Sequence, residues 1–218
     1  MHIMNTKNEQ AAYDDLFRSF RRTLKQTSKD GSGKDKEPPE PDRFMTDCST
    51  EVVDFDRFKS SITKHGWGGS PESCDALYRY DADTWFLIEF KNGILENTRY
   101  NVFHPDASEF YAVIRKLFES LFLLTRQLGQ TVDFTRKKIT FILVYNEEIN
   151  KNLNNEWFHR LSQEILQLGH SEDVLRMRNL SDVLPKSFNT EYFDKLYVRK
   201  AYICSKEQFK EFVERYAE

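Results

Sequence analysis

The spacing of apolar residues predicts alternating helices and strands along the chain. One apolar stripe favours an amphipathic helix from Asn8 to Lys25, with basic residues lying off the stripe. A second, shorter helix is predicted to begin at Thr50 or Asp54 and to stop at His65. The glycines and the proline that follow it are typical of a turn.

Two apolar runs separated by a polar turn predict a β-hairpin in the middle of the chain. The first strand runs from Ala76 to Tyr80 and the second from Trp85 to Lys91. The second run is the more hydrophobic of the two, as expected for a central strand. Successive side chains on a strand point to opposite faces, so Glu89 and Lys91 share one face and Phe90 points to the other.

Helices and strands continue to alternate after the hairpin. The predicted elements are a long helix from Pro105 to Gly129, a buried strand from Lys137 to Tyr145, a helix from Asn155 to Leu168, a strand from Leu196 to Ile203 and a C-terminal helix capped by Ser205 and Gln208. Because a long helix joins the second hairpin strand to the buried strand, these two strands can lie parallel. The order predicts an α/β fold in which helices flank a mixed central sheet.

A segment rich in glycine, proline and charge interrupts the apolar pattern near the N-terminus. It covers residues 28–43 and is typical of a flexible linker. We therefore expect an N-terminal helix in residues 1–27, this linker, and an α/β domain in residues 44–218. A hydrophobic content of 39% in 218 residues is enough to bury one core.

The net charge limits what the protein can bind, and the cysteine content indicates its cellular compartment. Acidic and basic residues nearly cancel to a net charge of -3, so nucleic-acid binding would need a local patch, metal ions or a partner protein. The three cysteines lack CxxC spacing, which argues against a zinc site and for a reducing compartment. The N-terminus lacks the apolar stretch of a signal peptide and no apolar run reaches membrane-spanning length, so we expect a cytoplasmic protein without a membrane partner.

The hairpin carries charged residues whose arrangement resembles a known enzyme core. Asp75, followed after a hairpin turn by the tripeptide Glu89–Lys91, with a long helix and a further strand behind it, is similar to the core of the PD-(D/E)XK nuclease superfamily. The similarity covers residues 51–145. It implies a restriction-endonuclease-like core and magnesium-dependent cleavage of phosphodiester bonds, as in restriction, repair, recombination and phage-defence enzymes.

The resemblance implies a role for each charged residue of the hairpin. Asp75 corresponds to the first motif aspartate and Glu89 to the second acid, while Cys74 stands where the motif has proline. A divalent cation, Mg²⁺ or Mn²⁺, would be held by Asp75, Glu89 and the carbonyl of Phe90, because hard cations prefer oxygen ligands. Lys91, the motif lysine, would orient or deprotonate the attacking water or stabilise the charge that develops on the phosphate.

Residues outside the hairpin are expected to complete this site. Superfamily members often add a metal-binding acid from an upstream helix, and Glu51 is the first candidate, followed by Glu72 and Glu9. A polar residue from the helix behind the motif often joins as well. Lys116 and Ser120, one helical turn apart, are the predicted substrate-binding residues.

Two other interpretations of the same residues stay open. Asp75, Glu89 and Lys91 could form an ion-pair cluster at an exposed strand end, because an acid and a lysine two apart are frequent on strands. The superfamily also contains members that only bind, so the alternative to a nuclease of DNA or RNA is a noncatalytic interaction protein, such as an immunity or accessory subunit. The near-neutral charge favours this alternative, and a protein partner or a homodimer is compatible with either function.

Overall fold

The computed structural model describes residues 6–29, 44–64, 70–93, 108–150, 178–179 and 197–216. The strands of this part are β1 (Arg21–Thr23), β2 (Glu51–Asp54), β3 (Ala76–Arg79), β4 (Trp85–Lys91), β5 (Ile139–Tyr145), β6 (Arg178–Asn179) and β7 (Lys200–Ser205). The helices are α1 (Thr6–Phe17), α2 (Leu24–Thr27), α3 (Phe55–Ile62), α4 (Ser108–Leu128), α5 (Val132–Lys138) and α6 (Lys206–Tyr216). A short 3-10 helix at Arg18–Phe20 follows α1.

The described strands form one mixed sheet in the order β1-β2-β3-β4-β5-β7-β6. Each of β1 to β3 is antiparallel to the next strand, β4, β5 and β7 run parallel, and β6 is antiparallel to β7. A parallel pair of strands cannot be joined by a tight turn, and α4 lies in the connection between β4 and β5. The predicted α/β class, with a mixed sheet flanked by helices, is confirmed.

Both faces of the sheet are buried against helices. One core joins the sheet to α1, α3 and α4, and the other joins it to α2 and α6. β4 contributes to both, because Trp85 and Leu87 belong to the first core while Phe86 and Phe90 belong to the second. Glu89 continues the alternation of Trp85 and Leu87 and therefore points toward α4.

Several elements are confirmed near their predicted limits. The hairpin consists of β3 and β4, and β4 is parallel to β5 as predicted. α4 ends at Leu128 and is followed by Gly129, whose φ of 61° lies in the left-handed region that glycine tolerates. Ser205 and Gln208 cap α6 reciprocally, with backbone N to side-chain oxygen distances of 3.0 and 3.3 Å.

The N-terminal helix is shorter than predicted. It ends at Phe17 instead of continuing to Lys25, because Arg21–Thr23 pairs with β2 as a strand at the edge of the described sheet. The hydroxyl of Thr23 then accepts a hydrogen bond from the N–H of Gln26 and caps α2. The apolar stripe has helical spacing, but strand pairing in the folded chain overrides that preference.

The segment before α3 is a strand that was not predicted. β2 pairs with both β1 and β3, and Asp54 at its end caps α3 by accepting a hydrogen bond of 2.9 Å from the N–H of Arg57. Of the two predicted starts of this helix, Thr50 is therefore wrong and Asp54 is confirmed. β2 has only four residues, too few for an alternating pattern to stand out from the helical one beside it.

Two later strands begin further along the chain than predicted. β5 begins at Ile139 instead of Lys137, because the last turn of α5 contains Lys137 and Lys138. β7 begins at Lys200 instead of Leu196, in the register that pairs Lys200 with Thr140. The shifts leave the order of the elements unchanged.

The N-terminal residues share one core with the α/β domain. β1 joins the common sheet, and Tyr13 packs against Trp85 while Phe17 packs against Phe58, with ring centroids 5.0 and 4.8 Å apart. Tyr13 and Phe17 thus belong to the same hydrophobic core as Phe58 and Trp85.

Some predictions fall on parts of the chain outside the described residues. These are most of the linker, from residue 30 to residue 43, the first residues of the long helix from Pro105, and the helix from Asn155 to Leu168. Within the described residues, none of the helices combines the length and the apolar character that crossing a membrane requires.

Candidate active site

Asp75 lies directly before β3, where main-chain hydrogen bonds hold it against β4. Its N–H donates to the carbonyl of Ile88 at 3.0 Å, and one of its side-chain oxygens, Oδ2, accepts from the N–H of Phe90 at 2.6 Å. Its carbonyl accepts from the N–H of Phe55 at 3.0 Å, where α3 begins. Backbone on two neighbouring elements therefore fixes the position of this carboxylate.

Glu89 is fully buried at 0% exposure, and its carboxylate meets two ammonium groups. Its Oε1 lies 2.7 Å from Nζ of Lys116 and 3.7 Å from Nζ of Lys91. The Lys116 ammonium also lies 3.9 Å from Oδ1 of Asp75. We refer to Asp75 and Glu89 as the acid pair, and to the acid pair with Lys91 and Lys116 as the four-charge cluster.

Burial governs the protonation of the cluster. It raises the pKa of Asp75 to about 6, against the opposing effects of the Lys116 charge and the Phe90 N–H. Burial and then the charge of Asp75 raise the pKa of Glu89 well above its usual range. Burial alone would lower the pKa of Lys116, but the acid pair raises it above its ordinary value. Ionising both acids together is therefore unfavourable unless positive charge lies beside them.

The oxygen atoms of the cluster fit a divalent cation. Oε2 of Glu89 is buried and has no hydrogen-bond partner among the described residues. The Phe90 carbonyl lies on the strand edge that faces Asp75, because Ile88, two residues earlier, bonds Asp75 there. Carboxylate and carbonyl oxygens are the ligands that Mg²⁺ and Mn²⁺ prefer.

The protein would supply only a few ligands to such a cation. No group of three or more His, Cys, Asp or Glu side chains in the described part of the chain is arranged to hold a metal. Magnesium sites commonly use one or two carboxylates and keep several waters, so the acid pair with the Phe90 carbonyl matches that ligand set.

Glu51 is not brought to the acid pair. It opens β2, is paired with Thr23 across the sheet, and accepts a hydrogen bond of 2.5 Å from the Arg21 guanidinium. Asp54, at the other end of β2, is the residue next to Ala76 and hence near Asp75. The two ends are three residues apart along the strand, a distance of roughly 10 Å. The expectation placed Glu51 near a helix, whereas the structure places it at the far end of a strand.

The other two predicted acids also lie elsewhere or are not described. Glu72 forms an ion pair of 2.5 Å with Arg115 of α4, and its N–H bonds the carboxylate of Glu119. Glu9 lies in α1 at a position whose side chain is not described. Neither contact of Glu72 links it to the acid pair.

Asp56 is an upstream acid near the four-charge cluster that sequence reasoning did not single out. It lies in the first turn of α3, where its Oδ1 accepts a hydrogen bond from the hydroxyl of Ser73, two residues before Asp75. Its charge contributes to raising the pKa of both Asp75 and Lys116. The signal was present, because recognising Asp54 as the helix cap places Asp56 at the start of the helix.

Lys116 and Ser120 lie on one face of α4, but they contact protein groups. Lys116 bonds Glu89, as described above, and Ser120 is fully buried. The hydroxyl of Ser120 accepts a hydrogen bond of 2.8 Å from the N–H of Cys74, the residue before Asp75. Ser120 thus supports the backbone that carries the acid instead of reaching outward to a substrate.

The described cavities lie away from these charges. One of about 580 Å³ is lined by Lys25, Phe44, Glu147 and Lys206 among others, and none of the four-charge cluster lines it. It borders α2 and α6, on the opposite face of the sheet from α4. The cluster contacts solvent through Asp75, Lys91 and Lys116, whose side chains are 17–18% exposed.

The four-charge cluster lies at the carboxyl end of β4, one of the parallel strands of the sheet. Ligands of open α/β sheets commonly bind beyond the carboxyl ends of the strands. Searches of protein-family models, curated proteins and solved structures give no match to this chain. The chemistry of the site is therefore inferred from its own geometry and charge.

Proposed function

We propose that this protein hydrolyses phosphodiester bonds of nucleic acid with a divalent cation, Mg²⁺ or Mn²⁺. The observation that best supports this proposal is that Asp75, Glu89 and Lys91 lie together, with Nζ of Lys91 3.7 Å from the buried Glu89 carboxylate. Two acids and a lysine at one strand end match the needs of this reaction, in which negative charge builds on a phosphate.

The order of the neighbouring elements supports a restriction-endonuclease-like core of the PD-(D/E)XK type. An antiparallel hairpin carries the acids, α4 follows, and β5 then pairs in parallel with β4. Asp56 in the first turn of α3 supplies the acid expected from an upstream helix. A role in defence or in nucleic-acid processing belongs to the same proposal.

Asp75, Glu89 and the carbonyl of Phe90 would hold the cation. When bound, it acidifies a coordinated water and polarises a phosphate oxygen. The N–H of Phe90 holds the Asp75 carboxylate in one orientation through the 2.6 Å hydrogen bond to Oδ2, which leaves Oδ1 directed to the cluster. The Asp75 main chain is fixed in turn by Ile88 and Phe55.

Lys91 completes the reactive end of the site. Its ammonium lies beside Glu89 and keeps partial contact with solvent. From this position it can orient the attacking water by a hydrogen bond or stabilise the negative charge of the transition state. Because Lys91 ends β4 and its carbonyl accepts a hydrogen bond of 3.1 Å from the N–H of Asn146, its backbone is held in the sheet.

The test is cleavage of labelled single- and double-stranded DNA and RNA with Mg²⁺, with Mn²⁺, and with chelator. We expect cleavage that needs a divalent cation and that Asp75→Ala, Glu89→Ala and Lys91→Ala each abolish while circular dichroism shows a folded chain. Lys138→Ala is the matched control, because Lys138 pairs with Asp83 at the opposite end of the hairpin. No cleavage of any substrate by the wild-type protein would refute the catalytic proposal.

The second candidate is a noncatalytic interaction protein. The observation in its favour is that lysines already pair with the acid pair, as in a structural ion-pair network: Lys116 lies 2.7 Å from Glu89 and 3.9 Å from Asp75, and Lys91 lies 3.7 Å from Glu89. This candidate predicts a stoichiometric protein partner after purification and no heat of Mn²⁺ binding in calorimetry. Cation-dependent cleavage would exclude it.

A further inference from the structure

We infer that Lys116 is the resident counter-cation of the acid pair and that a divalent cation binds there only after the Lys116 ammonium moves away. The inference deepens the proposed function and rests on it, because it concerns the same site. It gives Lys116 a role different from the substrate contact that its sequence position predicts. Lys116 is a positioning residue in this account.

The distances place the ammonium between the two carboxylates. Nζ of Lys116 lies 2.7 Å from Oε1 of Glu89 and 3.9 Å from Oδ1 of Asp75. Lys116 is therefore closer to Glu89 than Lys91 is, since Nζ of Lys91 lies 3.7 Å from the same oxygen. A cation bound to oxygens of both carboxylates would share this space with the ammonium. Two positive charges at such a separation repel strongly where water is largely excluded.

The charge balance of the cluster also supports this role of Lys116. Two carboxylates and two ammonium groups cancel, so the cluster as it stands has no net negative charge to attract a cation. Withdrawal of Lys116 leaves a net charge of one minus at the acid pair and Lys91. The divalent cation then makes the site positive, which suits a phosphodiester that carries one negative charge.

The Lys116 side chain is partly exposed and flexible, whereas the acid pair is held in place. Lys116 lies in α4 with 18% of its side chain exposed, and lysine has a flexible stem of four carbons. The acid pair cannot move to the same extent, because Glu89 is buried in the sheet and hydrogen bonds to backbone hold Asp75.

The experiment is a calorimetric titration of the full chain with Mn²⁺ alone, near neutral pH. Lys116→Met keeps the apolar stem and removes the charge, and we expect it to bind Mn²⁺ at least about tenfold more tightly than the wild type. Lys116→Arg keeps the charge and should bind as weakly as the wild type. Lys116→Gln, which retains a hydrogen-bond donor without charge, replaces the methionine variant if that variant does not fold.

Two control variants test whether Mn²⁺ binds at the acid pair and whether the gain in affinity is specific to Lys116. Lys138→Met removes a lysine of similar exposure from an ion pair with Asp83 far from the site, and it should leave Mn²⁺ affinity unchanged. Glu89→Gln, combined with Lys116→Met, should abolish the gain, because it removes a charged ligand of the acid pair.

The outcomes separate this inference from the proposed function. Equal or weaker Mn²⁺ affinity in both neutral variants, with binding still lost in Glu89→Gln, would overturn the role of Lys116 and leave the metal site standing. No Mn²⁺ binding by the wild type or by any Lys116 variant would overturn both. Tighter binding in the neutral variants and wild-type affinity in Lys116→Arg would establish the inference.

Discussion

Lys116 of α4 donates a hydrogen bond of 2.7 Å to the fully buried carboxylate of Glu89 in β4, across 27 residues of chain. The contact joins the long helix to the strand that carries the candidate site. It also means that the buried acid is not isolated, because a charge of opposite sign lies within hydrogen-bond distance. If the proposed function holds, stability and cation binding therefore depend on the same pair of side chains.

Removing Lys116 alone should destabilise the fold. Lys116→Met leaves the Glu89 carboxylate without its closest counter-charge, and we expect a loss of roughly 3 kcal/mol in the free energy of unfolding. The double variant Glu89→Leu/Lys116→Met should recover most of the loss, since the fully buried carboxylate is then removed together with its closest counter-charge. Urea denaturation measures all three proteins, and Lys138→Met, which breaks an exposed pair, should change the free energy by less than about 1 kcal/mol. A double variant no more stable than Lys116→Met would contradict a direct pairing.

Ser120 should matter for stability more than for substrate contact. Ser120→Ala leaves the buried N–H of Cys74 without its acceptor, which should lower the free energy of unfolding by about 1–3 kcal/mol. Ser60→Ala on the exposed face of α3 is the control and should change it by less than about 0.5 kcal/mol. Denaturation curves of the two variants decide the point, and equal small effects would count against the anchoring role.

Asp56 and Glu51 should differ in their effect on cleavage. Asp56→Asn should reduce cation-dependent cleavage by about tenfold or more, because Asp56 bonds Ser73 and its charge reaches the acid pair. Glu51→Gln should leave the rate unchanged, since Glu51 pairs with Arg21 at the other end of β2. Initial rates on one substrate compare the two variants. The reverse order would restore Glu51 as the upstream acid.

Asp54 should make stability depend on pH in an identifiable window. Burial and the neighbouring Asp56 charge raise the pKa of Asp54 to about 6, so the folded state keeps a proton that the unfolded state has lost between about pH 4 and 6. The stabilisation is present below that window and is lost as the pH rises through it. Asp54→Asn keeps the helix cap without titrating, so its stability relative to wild type should increase from pH 4 to pH 7. A pH-independent difference in urea unfolding would refute the raised pKa.

The hairpin, the long helix and the parallel strand could be predicted because each has a local signal. Strong alternation or an apolar run marks β4 and β5, and a glycine marks the end of α4. Asp75, Glu89 and Lys91 could be placed together for the same reason, because hairpin pairing and strand alternation fix their faces.

The remaining parts depend on contacts between distant segments. β1 forms by pairing with β2, and β2 pairs with β3 on its other side, which no local pattern in so few residues reveals. The contact of Lys116 with Glu89 depends on where α4 crosses the sheet. Glu51 was favoured because it was expected near a helix, and the unpredicted strand moved it away from Asp75.

The central claim is that the acid pair serves cation-dependent hydrolysis, and the rate of cleavage by Glu89→Gln tests it most directly. The substitution keeps the shape of the buried side chain and removes the charge that would hold the cation. At a Mn²⁺ concentration that saturates the wild type, with circular dichroism confirming the fold, we expect the variant to cleave the same nucleic acid at a rate at least about a hundredfold below that of the wild type. Equal rates in the two proteins would contradict it.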